Sequence, residues 1–447
     1  MSSAVSLLYP PCQLCYNAHR AHEIFAGAHA LNPTASASLL PAFESQDEVF
    51  SSAFSILRQA ITDHAFPAAS IAVTHAGKLI ALKSFGRFTH EGNPEGGDFD
   101  SDVTPATLFD LASLTKVVAT TTMAMILYER GLLELDAPVA GVVPEFLTCS
   151  AGPLDPRRRN VTFRMLLAHS SGLPAYEKLF LKAHTRDELL RVAFATPLSA
   201  DPGSRAVYSD IGFIILGAAL ERLAEDPLDR FCQREIFGPL AMTHTSFNPP
   251  AEIRSQIPPT ADDTAFRNRI IQGEVQDENA FVLGGVAGHA GLFSSAEDLA
   301  RFAHAMLQCG AGTPLDSLRS LRAGSAREMP AAPASSSASP KTASIFTPIL
   351  HPETLSLFTR HESVPAGTSR ALGWDTPSSP SQSGKYFSSS SFGHLGYTGT
   401  SLWIDPVRQL SITLLTNRTW PDCASQAIKQ VRPKFHDAVV EALLDSA

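Results

Sequence analysis

The stretch that decides the fold of this chain is Leu108–Lys116, which reads LFDLASLTK and leads directly into an apolar helical run. Ser113 and Lys116 are three residues apart, so on a helix their side chains share one face. On that face a lysine amine could take the proton from a serine hydroxyl. A Ser-x-x-Lys pattern is expected about once by chance in a chain this rich in serine, and it occurs once here. The rest of the chain must therefore decide whether it is functional.

Composition limits the class of protein. The chain has 447 residues, is 44% hydrophobic and carries a formal net charge of −9. This length suits two or three domains, or one large mixed domain with insertions. The acidic balance argues against a nucleic-acid partner, which usually presents a basic face to the phosphates. No apolar run approaches the roughly 18 residues of a membrane-spanning helix, and the run 211–220 predicts a buried helix instead.

The N-terminal region carries little functional information. Cys12 and Cys15 form a C-x-x-C pair, but no second Cys or His pair is spaced to complete a zinc site, so no metal or cofactor is expected. The basic segment of a signal peptide is missing, and two prolines interrupt the apolar stretch. We expect residues 1–46 to form a flexible extension, and the sequence leaves the cellular compartment open.

The remaining chain, 47–447, is expected to form one catalytic domain. Apolar positions at helical spacing predict a helix over 49–61, and two strand patterns with a turn between them predict a hairpin over 69–85. The chain closes with a second hairpin and a helix, so both ends are expected to share one sheet. A sheet covered by helices is an α/β or α+β design. The Ala/Pro/Ser-rich segments 322–345 and 377–391 predict surface insertions.

Two interpretations of Ser113 and Lys116 stay open from the residues alone. Ser113 is either a helix cap, for which serine is a preferred residue, or a nucleophile at a helix start, where free N–H groups favour an oxyanion. Lys116 is either a base, whose pKa burial pushes down, or an exposed helix lysine.

Further polar residues precede or interrupt apolar segments. Tyr208 and Asp210 follow a Pro-Gly turn; Tyr208 is either a loop residue or a phenol that exchanges protons beside a lysine, and Asp210 is a candidate helix cap. His169 adjoins two serines, but adjacent helical residues point apart, which favours a structural role. His289 lies in a Gly-rich run without a nucleotide fingerprint, and it is either structural or faces a substrate.

Three short motifs together resemble a known superfamily. The order of Ser113–Lys116, Tyr208–Asp210 and His394–Gly396 is similar to the signature elements of the serine β-lactamases and penicillin-binding proteins. It is most similar to the class C β-lactamase-related branch, which includes family VIII carboxylesterases and peptidoglycan-type peptidases and amidases. The similarity extends from about Asp47 to the C-terminus. It implies an antiparallel sheet flanked by helices, an inserted all-α lobe, and an active site in the cleft between them.

The resemblance also implies residue roles. Ser113 would be the acylated nucleophile, Lys116 its base or proton relay, and Tyr208 the general base that also protonates the leaving group. The backbone N–H groups of Ser113 and Tyr397 would form the oxyanion hole, with Tyr397 following the edge strand of His394. The implied partner is a small-molecule ester or amide, cell-wall fragments included. The family is usually exported, although this N-terminus gives little support for export.

Two positions depart from the β-lactamase pattern. Asp210 stands where β-lactamases usually carry Asn, and an ionised carboxylate only accepts hydrogen bonds. His394 stands where they carry Lys, and histidine is not permanently charged. Both changes weaken the recognition of a β-lactam and favour esterase or peptidase/amidase chemistry. The alternative is a non-hydrolytic, penicillin-binding-like sensor or binding module on the same fold.

Overall fold

A computed structural model describes residues 39–90, 101–147, 155–311 and 348–445. Within these ranges the strands are β1 (Leu40–Pro41), β2 (Ala68–His75), β3 (Lys78–Gly86), β4 (Phe109–Asp110), β5 (Ser246–Phe247), β6 (Pro259–Asp263), β7 (Arg269–Gln272), β8 (Leu292–Ser294), β9 (Phe392–Leu395), β10 (Ser401–Asp405) and β11 (Leu410–Thr416). The α-helices are α1 (Gln46–Val49), α2 (Ser51–Thr62), α3 (Thr122–Glu129), α4 (Phe163–Leu167), α5 (Arg186–Ala195), α6 (Asp210–Ala224), α7 (Leu228–Cys232), α8 (Glu278–Val282), α9 (Ala296–Ala311), α10 (Pro352–Thr359) and α11 (Ile428–Asp445).

The main sheet has six strands in the order β1-β3-β2-β11-β10-β9. The two hairpins predicted at the ends of the chain meet at the β2–β11 pair, where Val73 is opposite Ile412. The prediction that both ends share one sheet is therefore confirmed. Strand β2 is buried from Ala68 to Thr74, because helices cover both of its faces, and this explains its uninterrupted run of small and apolar residues.

The N-terminal boundary lies earlier than predicted. Leu40–Pro41, placed by the sequence in a flexible extension, form the edge strand β1, which pairs with β3 in parallel. The sheet is thus mixed rather than wholly antiparallel. A two-residue strand has no hydrophobic period to detect, so the sequence gives no signal for it. Residues 1–38 lie outside the described ranges.

Helices cover the two faces of the main sheet. Helices α2 and α11 pack together on one face, and their apolar side chains form a core with Trp403 and Ile412. Helix α9 packs against β2 and β11 from the opposite face. Each buried Leu, Ile, Val or Phe side chain in such a core stabilises the fold by about 1.5–3 kcal/mol.

Between β4 and β5 the described residues form helices α3–α7, short helical turns and loops, which is the inserted helical lobe. The short sheet β4-β8-β5 lies beside the start of this lobe. A mixed sheet flanked by helices, with a helical lobe inserted, confirms the predicted α/β fold class. No helix of the described ranges is both long and apolar enough to cross a bilayer.

One of the two predicted insertions, 377–391, lies within the described ranges. Residues 322–345 lie outside the described ranges. The segment 377–391 has no regular structure, but Phe387 is buried with its ring 5.9 Å from that of Trp403. The Ser388 hydroxyl donates to Asp405 at 2.7 Å. These contacts hold the segment against β10.

Candidate active site

Ser113 lies on one 3₁₀ turn, Ala112–Leu114, which continues into a π-helix at Lys116–Thr121 and then into α3. The predicted α-helix therefore begins with two other helical forms. Ala112 has a φ of +47°, a strained conformation for a residue with a side chain. The Asp110 carboxylate accepts the N–H groups of Ala112 at 2.8 Å and Gln276 at 2.7 Å, which holds this backbone. Burial raises the pKa of Asp110 to about 6, although both N–H groups oppose it.

Lys116 is fully buried, and its ammonium group has three acceptors. Its Nζ donates to Ser113 Oγ at 3.1 Å, to Asp210 Oδ1 at 2.7 Å and to the His289 carbonyl at 2.9 Å. Burial acts to lower the pKa of Lys116, but the charge of Asp210 and the Tyr208 side chain outweigh it and leave the pKa above its ordinary value. The direction of the pKa shift therefore opposes the lowered pKa that the sequence offered as one alternative and favours the ammonium form, and complete burial contradicts the other alternative, an exposed helix lysine.

Tyr208 contacts the same serine oxygen. Its hydroxyl donates to Ser113 Oγ at 2.7 Å, so Lys116 and Tyr208 converge on one atom. Burial raises the pKa of Tyr208, and Lys116 only partly offsets this. The resting phenol is therefore neutral. The N-cap of α6 is Ser209, whose Oγ accepts a hydrogen bond from the Gly212 N–H at 3.0 Å. Asp210, the cap candidate from the sequence, instead pairs with Lys116 through its carboxylate.

His169 packs its ring against the ring of Tyr208. It is buried, its Nδ1 accepts the Ser209 N–H at 3.0 Å, and its ring lies 4.6 Å from that of Tyr208. Burial, with the charges of Arg370 and Lys116, holds the pKa of His169 well below its ordinary value. A neutral imidazole that accepts a backbone N–H agrees with the structural role favoured by the sequence.

His289 contributes its backbone to the site. Its carbonyl accepts from Lys116, and its Nε2 lies 2.8 Å from Asp277 Oδ1. The neighbouring Gly288 packs against α6 so closely that a Cβ would lie 2.2 Å from the Phe213 carbonyl and 2.9 Å from the Gly217 Cα. The Gly-rich run therefore serves close backbone packing, which brings a carbonyl to the buried ammonium group.

The edge strand β9 places His394 beside Tyr208, with their rings 5.8 Å apart. His394 is buried, and its Nδ1 lies 2.8 Å from the Leu395 carbonyl. Burial, then the charges of Lys116 and Arg370, keep its pKa well below the ordinary value. At neutral pH this histidine is therefore an uncharged group that donates to the Leu395 carbonyl.

The loop 396–400 is attached to the backbone that precedes Ser113. Thr398 and Thr400 donate through their hydroxyls to the Asp110 and Leu111 carbonyls, at 2.8 and 3.0 Å. Arg432 of α11 donates to the Gly396 and Thr400 carbonyls at 2.7 and 2.9 Å, and burial lowers its pKa to about 9. This network fixes the position of the Tyr397 backbone relative to Ser113.

These residues line a cleft of about 730 Å³. Six of the seven predicted site residues line it, and Lys116 is buried behind Ser113. Acidic side chains lie along the cleft at Asp277 and Glu278, and basic ones at Arg418 and Lys429. Sequence reasoning missed the cations at Arg370, Arg418 and Arg432, because no spacing along the chain connects them with the serine motif.

The fold and the cleft define an α/β protein of the β-lactamase/penicillin-binding fold, a class that contains serine hydrolases. The chain belongs to the Beta-lactamase family, whose model matches residues 54–432.

Known relatives agree with this assignment. The chain is 31% identical over 381 residues to an N-acetylmuramyl-L-alanine amidase of Bacillus subtilis (strain 168), covering 79% of this chain and 77% of that protein. It is 29% identical over 381 residues to a putative D-alanyl-D-alanine carboxypeptidase of Escherichia coli (strain K12), covering 80% and 79%. Its fold is similar to that of EstCE1, a hydrolase with promiscuous acyltransferase activity, with a TM-score of 0.64 at 19% identity over 88% of this chain and 99% of that one.

Proposed function

We propose that this chain is a serine hydrolase that forms an acyl-enzyme on Ser113 with an ester or amide substrate. The observation that carries the proposal is the convergence of two proton donors on Ser113 Oγ, Tyr208 Oη at 2.7 Å and Lys116 Nζ at 3.1 Å. Such a nucleophile–base pair within hydrogen-bond reach, with the base itself held by a third group, is the arrangement that nucleophilic catalysis needs.

The charge state of the site supports Tyr208 as the base. Because Lys116 is held as an ammonium ion, it cannot accept the serine proton, so Tyr208 is the base in its phenolate form. Tyr208 first loses its own phenol proton to solvent, which forms the phenolate. The serine proton then passes to this phenolate as Oγ bonds to the carbonyl carbon. Tyr208 then returns this proton to the alcohol or amine as the carbon–heteroatom bond breaks. A water molecule repeats the sequence on the acyl ester and frees Ser113.

The oxyanion of each tetrahedral intermediate would accept hydrogen bonds from the backbone N–H groups of Ser113 and Tyr397. The attachment of loop 396–400 to the Asp110 and Leu111 carbonyls supports this role, because a preorganised donor stabilises developing charge without moving. Gly396 belongs to the same oxyanion hole, because it is the first residue of the loop 396–400 that carries the Tyr397 N–H.

The substrate is proposed to be an ester or a peptidoglycan-type amide, with β-lactam hydrolysis weak or absent. The amidase and carboxypeptidase relatives support an amide. Two features of the cleft argue against an efficient β-lactamase. The Asp210 carboxylate is occupied by Lys116, and His394 is uncharged, so the edge strand offers no cation to a substrate carboxylate.

The test uses the full chain with short-chain p-nitrophenyl esters, muropeptides and nitrocefin, together with a fluorescent phosphonate label. We expect the wild type to release product well beyond one equivalent, and Ser113→Ala to lose both turnover and labelling. Ser55→Ala is the matched control, because Ser55 is an exposed serine on α2 whose hydroxyl donates to the Ser51 carbonyl of its own helix. Turnover retained in Ser113→Ala would refute the assignment of the nucleophile.

The second candidate is a sensor or binding module that acylates without turnover, favoured by the same Asp210 and His394. It predicts one equivalent of bound label and no further product. Steady product release beyond the enzyme concentration excludes it.

A further inference from the structure

We propose that Arg370 is a positioning residue for Tyr208, and that its guanidinium supplies the second positive charge that stabilises the phenolate form of the base. The inference rests on the proposed function, in which Tyr208 takes the serine proton. It concerns a residue outside the three motifs, on the segment before β9.

The two cations lie close to one aromatic ring. Lys116 Nζ is 4.9 Å and Arg370 Cζ is 5.2 Å from the ring centroid of Tyr208, both within the distance at which a cation is attracted to a ring face. Arg370 lines the same cleft as Ser113. When the phenol ionises, its negative charge forms on a ring that has two cations within about 5 Å of its centroid, in a partly desolvated site, where such interactions are stronger than in water.

The remaining groups around Tyr208 do not supply this charge. His169 and His394 are neutral because burial keeps their pKa values low, and Arg370 itself contributes to lowering both. Asp210, on the same segment as Tyr208, is an anion and opposes ionisation of the phenol. The groups facing Tyr208 from the elements around it are Ser113 and Lys116, Asp210, His169, His394 and Arg370.

The edge of the sheet holds Arg370 in place. Arg370 and Asp375 form an antiparallel bridge, and Asp375 bridges in turn to Gly393 of β9, with N–H···O distances of 2.8 and 2.9 Å in the two directions. The Asp375 carboxylate lies 3.7 Å from the Arg370 guanidinium, so the ion pair is loose. The strand that carries His394 therefore also fixes the position of the cation.

The test is the pH profile of kcat/KM for a p-nitrophenyl ester, measured on full-length Arg370→Met and Arg370→Lys. Methionine keeps most of the side-chain length without the charge, and lysine keeps the charge. We expect the rising limb of Arg370→Met to move about one pH unit towards alkaline pH, which is a loss of about tenfold at a fixed pH on that limb. Arg370→Lys should recover most of this shift.

Two control variants show whether the shift depends on the place of the lost charge and on the Tyr208 phenol. Arg360→Met removes an exposed arginine on the surface, and its profile should match the wild type. In a Tyr208→Phe background, which lacks the ionising phenol, adding Arg370→Met should leave the residual kcat/KM unchanged at every pH. Circular dichroism and the urea unfolding midpoint of each variant report a folding failure separately from a change in activity.

A fall in kcat/KM that is equal at all pH values, or a failure of lysine to rescue, would overturn the role of Arg370. If Ser113→Ala still abolishes turnover in that case, the proposed function stands and only the role of Arg370 fails. If Ser113→Ala keeps turnover, the proposed function itself fails.

Discussion

At the residue scale, the buried pair of Lys116 and Asp210 determines how the site is ionised. Lys116 has no exposed surface, and Asp210 is only partly exposed. Burial of an ammonium ion without a countercharge would push its pKa down, but a carboxylate 2.7 Å away reverses this. The site therefore keeps a fixed positive charge beside the Ser113 hydroxyl.

We predict that Asp210→Asn destabilises the protein and lowers the pKa of Lys116, because a buried ammonium ion loses its countercharge. Breaking a buried ion pair costs about 3–5 kcal/mol, and partial exposure of Asp210 places the expected loss at the lower end. Urea unfolding followed by circular dichroism measures it.

Asp136→Asn is the matched control. Asp136 pairs with Arg164 through a carboxylate whose side chain is 66% exposed, and exposed pairs are screened by water. Its unfolding midpoint should change far less. Equal shifts in the two variants would contradict a special role for the buried pair.

At the element scale, the loop 396–400 joins the edge strand to the serine segment. Thr398 and Thr400 contact the backbone before Ser113, and Arg432 contacts the loop from α11. Gly396 is required at the start of this loop, because a Cβ there would lie 1.9 Å from Thr400 Oγ1 and 2.6 Å from the Leu111 carbonyl.

We predict that Gly396→Ala lowers kcat by about 10²–10³, the usual effect of losing one oxyanion donor, because the added methyl group displaces the loop that carries the Tyr397 N–H. Steady-state ester hydrolysis measures kcat. Gly141→Ala is the control, since no atom of the described residues lies within 4 Å of a Cβ at that position. Wild-type kcat in Gly396→Ala would show that the loop does not form the oxyanion hole.

At the scale of the whole molecule, the protein buries several neutral histidines. Burial lowers the pKa of His436 to about 3, and the pKa values of His169 and His394 also lie well below the ordinary value. In the unfolded chain a histidine has a pKa of about 6.5. Below that pH the unfolded chain therefore binds more protons than the folded one, and acid favours unfolding.

We predict that the free energy of unfolding falls as the pH is lowered from 6.5 towards 5, by up to about 1.4 kcal/mol per pH unit for each such histidine. Asp110, with its pKa raised to about 6, opposes this because its folded form gains a proton first, and burial also raises the pKa values of Glu278 and Asp298. Within the described ranges, however, five histidines have lowered pKa values, because burial lowers those of His90 and His304 as well, so the histidines outweigh the three carboxyl groups. Urea unfolding midpoints at several pH values measure the slope.

In His436→Gln the slope of the unfolding free energy against pH should decrease by the equivalent of about one bound proton. In His184→Gln, which replaces an exposed histidine, the slope should remain unchanged. Stability that is independent of pH over this window would contradict the prediction. Carboxylates with lowered pKa values, such as Asp277, lose their contribution only at more acidic pH.

Local sequence patterns determined most of the fold. Helical spacing predicted the first long helix, which runs from Ser51 to Thr62, and strand patterns predicted the hairpin of β2 and β3. The three-residue spacing of Ser113 and Lys116 also predicted their contact. These features follow from the periods of helices and strands, which are written along the chain.

Only the tertiary structure decided the ionisation of the site and its supporting cations. Asp210 and the His289 carbonyl reach Lys116 from positions 94 and 173 residues away in the sequence, and Arg370 reaches Tyr208 from a separate segment. A pKa depends on burial and on charges within a few ångströms. Those neighbours are set by packing, so the sequence could predict Ser113 as the nucleophile, while only the fold showed which charged groups surround it.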